Sequence, residues 1–72
     1  MANYADPSAQ ALHEALGADH LASRIVNALL RKGFRSPSIA VLREQREEIA
    51  HRRRIGAMAL KRIDALLERS ED

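Results

Sequence analysis

DHLASRIVNALLRKG, residues 19–33, is the stretch that decides the fold. Leu21, Ile25, Ala28 and Leu29 recur at helical spacing, Val26 and Leu30 widen the stripe, and Gly33 follows as a stop. The pattern predicts an amphipathic helix from about 19 or 20 to 32. Upstream, Asp6-Pro7 has the form of an N-cap followed by proline at the first helical position, and Gly17 ends a segment carrying Ala11, Leu12, Ala15 and Leu16. Downstream, Ser36-Pro37 repeats that logic and predicts a short third helix through Leu42. Residues 46–52 form one or two further turns in this reading, with Ile49 and Ala50 inward. A tight connection at Arg54-Ile55-Gly56 then opens a last helix over about 57–69, with Leu60, Ile63, Leu66 and Leu67 at helical spacing.

Strand signals are weak, since Tyr4 and Phe34 are the only aromatics and no alternation is sustained. The expected fold is all-α, a compact bundle of four to five short helices. Its expected organisation is an N-terminal extension with a short helix over 1–18, a helical domain over 19–69 and a frayed tail over 70–72.

Seventy-two residues suffice for one domain, near the lower limit for a fold without disulfide or metal. No cysteine is present, so a disulfide framework and a thiolate zinc site are both excluded. No apolar run approaches the roughly 18 residues of a membrane span, and MANYADPSAQ lacks the basic and apolar regions of a signal peptide. A soluble, cytoplasmic protein with no membrane partner is expected.

Net charge is only +2, but it is unevenly spread. Residues 1–23 hold three acids and no Lys or Arg, residues 24–62 hold eleven Lys or Arg against three Glu, and residues 63–72 are acidic again. A basic middle between acidic ends is the asymmetry a polyanion-binding surface produces. Within it, HRRRIGAMALKRI, residues 51–63, sets three arginines before a helix start, where the helix dipole is already positive. A glycine opening a helix leaves backbone N–H groups accessible to a phosphate, and Arg52, Arg53 and Arg54 add charge and bidentate donors. The missing negative charge is then a nucleic-acid backbone. The residues alone also allow a plain reading, in which Gly56 only makes a tight turn and the arginines form a solvated face.

Residues 21–67, LASRIVNALLRKGFRSPSIAVLREQREEIAHRRRIGAMALKRIDALL, resemble the C-terminal domain of the bacterial RNA polymerase alpha subunit. The matching features are Arg24 followed by Asn27, Ala28 and Leu29, then Gly33-Phe34 where the family usually has Gly-Ile. Val41-Leu42, Glu48-Ile49, Arg53-x-Ile55-Gly56, Leu60 and Ile63 follow in order, with about one extra residue near 36–40. The resemblance implies a compact helical domain with a helix-hairpin-helix-type turn at 54–57. It also implies binding to double-stranded DNA through the A·T-rich minor groove and flanking phosphates, and contact with RNA polymerase or a transcription regulator. The family's key arginine falls on Arg24, its helix-1 asparagine on Asn27 and its hairpin glycine on Gly56. An arginine in a narrow minor groove exploits the enhanced negative potential there. The expected DNA-binding set is therefore Arg24, Asn27, Arg52, Arg53, Arg54 and Gly56.

The departures are equally specific. Where the family has asparagine, lysine, serine and a later glutamate, this chain has Arg54, Met58, Ala59 and Arg62. Losing the lysine and serine removes two phosphate contacts, which the arginine run replaces from the other side of the turn if DNA binding is kept. The short length and Met1 point to a free-standing relative of the alpha domain. The rival expectation is a protein-interaction adaptor that has lost DNA binding, and self-association through the apolar 7–16 segment is a further option.

Other chemistry is sparse. His13, His20 and His51 lack cysteines or a convergent carboxylate set, so no metal site is expected. Ser23, Ser36 and Ser38 read as caps and turns, and no phosphate-loop or dinucleotide pattern occurs. No cofactor and no catalysis are expected. Met58 reads first as core packing, and Glu44, Glu47 and Glu48 with Arg43 and Arg46 as a mixed-charge solvated face.

Overall fold

A computed structural model describes residues 4–52 and 55–70. Among them the chain forms four helices and no strand: α1 Pro7–Ala15, α2 His20–Arg31, α3 Ile39–Ala50 and α4 Gly56–Arg69. Three of the four begin on a side-chain cap. Asp6 accepts from the Ala9 amide (3.0 Å), Asp19 from Ala22 (3.0 Å) and Ser38 from Val41 (3.3 Å). At the end of α1, Gly17 has φ +109°, and the Ala18 amide donates to the His13 carbonyl at 2.9 Å. This left-handed C-terminal cap turns the chain into α2.

The third helix departs from the sequence reading. Its cap is Ser38 instead of Ser36, and it runs unbroken to Ala50, so the expected short helix and separate turns are one element. Pro37 is buried and ends in the core, while the Ser36 hydroxyl donates to Asp6 at 2.8 Å and ties the α2–α3 connection to the start of α1. Residues 43–48, REQREE, contain only good helix formers, so nothing in them interrupts the hydrogen-bond ladder.

Helix α1 packs on α2, α3 packs on α4, and α2 on α4 joins the pairs. The core draws on all four: Ala9, Leu12 and Leu16 with α1, Ala22, Ile25, Val26 and Leu29 from α2, Leu42 and Ile49 from α3, and Ile55, Ala59, Ile63 and Leu66 at α4. Residues read as an N-terminal extension thus contribute directly to the shared core. The apolar side of 7–16, offered above as a dimer surface, is covered within the chain. On α2 the most buried line is 22, 25, 26 and 29, while Leu21 and Leu30 flank it half-buried. Angular position on the helix, more than side-chain size, decides which residues sit at the centre.

Much of the basic charge is committed to holding helices together. Arg62 of α4 donates to the Leu16 carbonyl (3.1 Å) and to the Asp19 carboxylate (2.6 Å), and Arg69 donates to the Ala15 carbonyl (3.3 Å). Two arginines of α4 therefore cover the carbonyl end of α1, where cations are favoured. Arg43 does the same for α4, donating to the carbonyls of Leu67 (3.3 Å) and Ser70 (3.2 Å). Arg46 forms a bidentate pair with Asp64 at 2.9 and 2.8 Å, and Lys32 pairs with Glu48. Of the face expected to be merely solvated, Arg43, Arg46 and Glu48 instead link helices, while Glu44 and Glu47 are exposed.

The acids in these links stay ionised to lower pH than free carboxyls. Arg46 holds the Asp64 carboxyl below its ordinary range, Lys32 does so for Glu48, Arg62 and then the Ala22 amide for Asp19, and the Ala9 amide and then Ser36 for Asp6. A carboxyl lowered by folding contributes stability that is present above its unfolded pKa and lost as pH falls through its lower folded value. Urea midpoints are therefore expected to decline below about pH 4, and to decline less steeply in Asp64→Asn. Equal slopes for the two proteins would mean that the Arg46–Asp64 pair does not survive in solution.

Candidate nucleic-acid interface

One hollow, open to solvent, collects most of the residues singled out from the sequence. Helix α2 supplies His20, Ser23, Arg24, Asn27, Ala28 and Arg31 to its lining, the α3–α4 connection supplies Arg52 and Ile55, and α4 supplies its first residue, Gly56. Positions 20, 24, 27 and 31 follow helical spacing and lie on the opposite side of α2 from the buried line, so the same periodicity that makes the core makes this polar stripe. His20, Arg24, Asn27, Arg31 and Arg52 are all exposed.

Four members of the expected DNA-binding set, Arg24, Asn27, Arg52 and Gly56, thus meet although they are up to 32 positions apart in sequence. Arg53 and Arg54 lie outside the described residues. Five lining residues were not in that set: the polar His20, Ser23 and Arg31, and the apolar Ala28 and Ile55. The i, i+4, i+7, i+11 spacing of 20, 24, 27 and 31 was a readable signal for His20 and Arg31, whereas Ser23 carried none.

Helix α4 opens at the hollow without a side-chain cap, since Ile55 makes no capping hydrogen bond. Its first amides are the kind of positive end that attracts anions. Gly56 has φ +76°, and a Cβ placed there would meet no described heavy atom within 4 Å outside its immediate surroundings. The backbone conformation, more than lack of room, favours glycine here.

The polar groups behind the stripe form a short network. The Tyr4 hydroxyl donates to Asn27 Oδ1 at 3.2 Å, which leaves the amide's N–H donors for another partner. Tyr4 also lies 5.2 Å, centroid to centroid, from the ring of His13, whose Nε2 is hydrogen-bonded to the Ser23 hydroxyl at 3.0 Å. His13 is buried and Ser23 faces it, so Ser23 is neither a cap nor a turn residue.

Met58, Ala59 and Arg62, at the start and middle of α4, also gain a location. Met58 is 70% exposed, which corrects its reading as core packing, whereas Ala59 is fully buried. A side chain at 59 faces the core, so alanine there is explained by packing, without invoking a lost phosphate contact. Arg62 is occupied by Asp19 and the α1 carbonyl end. Among the described residues no cluster of three or more His, Cys, Asp or Glu is placed to hold a metal ion, and no helix is long and apolar enough to cross a membrane. Comparison with family models, with curated proteins and with solved structures finds no match to this chain.

Proposed function

We propose that this chain is a small non-enzymatic DNA-binding module that grips the minor groove and adjoining phosphates of A·T-rich duplexes. Its role is transcription-related or architectural, in the cytoplasm, and its fold is that of the RNA polymerase alpha C-terminal domain it resembles. The observation that carries this reading is the composition of the hollow: Arg24, Arg31 and Arg52 with Asn27 and an uncapped helix start, and no carboxylate among its described lining residues. Such a surface offers charge and hydrogen-bond donors to a backbone and little means of reading base edges. Neither Tyr4 nor Phe34 lines it, which disfavours single strands, whose binders stack bases on aromatic rings.

Anisotropy titrations of labelled A·T-rich and G·C-rich duplexes across a salt series test the proposal. Tighter A·T binding is expected, with a log–log salt slope of roughly −2 to −4, which corresponds to two to four phosphate contacts at about −0.9 each. Absence of duplex binding at low salt would sink the reading.

The exposed Met58 favours a second reading, that of an adaptor docking on RNA polymerase or a transcription regulator. Its side chain stands in the first turn of α4, the turn that begins at the hollow. Affinity for such a protein without affinity for duplex DNA would select this alternative.

A further inference from the structure

We propose that His20 makes the grip of this hollow on a phosphate backbone depend on pH, adding one phosphate contact when its imidazole is protonated. The inference rests on the duplex-binding reading and deepens it.

His20 is the first residue of α2, is exposed, and lines the hollow at the end of the stripe that continues through Arg24, Asn27 and Arg31. Eleven residues separate 20 from 31, which spans about 16 Å of helix axis at ~1.5 Å per residue. That length matches about five phosphates of one strand at ~3.4 Å of axial rise each. His20 and Arg31 therefore reach different phosphates, and the histidine extends the footprint beyond what the arginines cover.

The charges that share the hollow's lining with His20 set the sign of the effect. From α2 they are Arg24 and Arg31, and from the α3–α4 connection Arg52, with the uncapped start of α4 at the same hollow. The adjoining carboxylate, Asp19, is engaged by Arg62 and by the Ala22 amide. No described lining residue is acidic, so an anion entering the hollow is the partner an imidazolium at 20 would gain. Imidazole is the ordinary side chain whose charge changes between pH 5 and 8. Proton uptake and polyanion binding then reinforce one another, and by linkage each strengthens the other equally. The remaining histidines serve as controls: His13 is buried against Ser23, and His51 is exposed at the end of α3 outside the lining.

The test is the duplex titration repeated at about pH 7.5 and about pH 5.5 over a salt series, with the unaltered protein, His20→Gln and His51→Gln. The unaltered protein is expected to show a salt slope steeper by about 0.9 at the lower pH, the signature of one added phosphate contact. Affinity at fixed salt is expected to rise roughly two- to fivefold, the range exposed ion pairs reach. In His20→Gln the two slopes should coincide, while His51→Gln should behave like the unaltered protein. Unchanged slopes in the unaltered protein, or a steepening that persists in His20→Gln, would overturn the role of His20 while duplex binding itself stands. Absence of duplex binding at both pH values would remove this inference together with the reading beneath it.

Discussion

Arg24→Ala is expected to weaken binding to an A·T-rich duplex by about tenfold or more, the effect of losing ~1.4 kcal/mol or more from one well-placed arginine contact. Arg24 sits in the middle of the α2 stripe, between His20 and Asn27, and shares the hollow's lining with Arg52 and the start of α4. A narrow A·T minor groove concentrates negative potential, and an arginine at the centre of a basic face is the side chain that gains most from entering it. Glu47→Ala is the matched control. Glu47 is exposed on α3 and takes no part in the hollow, so its removal is expected to leave affinity unchanged. Equal affinity in the two variants would rule out the proposed face. Thermal midpoints measured alongside separate a lost contact from a lost fold.

The largest effect on stability is expected from Leu29→Ala. Leu29 is fully buried on α2, the helix that packs against both α1 and α4. Truncating a buried leucine costs about 2–5 kcal/mol, from lost transfer energy and from the cavity left behind. A 72-residue chain has a total stability of roughly 4–11 kcal/mol at ~0.05–0.15 kcal/mol per residue. The variant is therefore expected to lose a large fraction of its stability, read as a shift of the urea midpoint at unchanged slope. A change under about 0.5 kcal/mol, the range of neutral surface substitutions, would contradict this packing.

The helices themselves were largely legible, because their signals are local. Asp6-Pro7 announced α1, and the apolar spacing over 19–33 announced α2, since a cap needs only a side chain three residues from its amide. Ser36-Pro37 misled for the same reason. The motif is a valid local cap, but burying Pro37 and pairing Ser36 with Asp6 moves the helix start to Ser38. Those partners lie about 30 positions away, beyond any local window. Met58 misled in the opposite direction, because an apolar side chain near a helix start has no fixed facing until the helix is docked.

The candidate site divides in the same way. Arg24, Asn27, Arg52 and Gly56 were chosen from sequence, and the fold places them around one hollow. Which bases remain for a ligand was not legible. Nothing local in the sequence marks Arg43, Arg46, Arg62 and Arg69 as the arginines that cap or clamp helices, because their partners lie 18 to 54 positions away.

By itself the sequence determined that this protein is helical, where its first two helices begin and end, and that its middle, residues 24–62, carries the positive charge. Those properties follow from side-chain spacing and from caps acting over three or four residues. Only the tertiary structure decided that α3 is a single helix, that α1 belongs to the core, and that the positive charge splits between helix-ending arginines and a basic hollow. Each of these depends on which distant carbonyl, carboxylate or apolar face a side chain meets, and packing alone selects that partner.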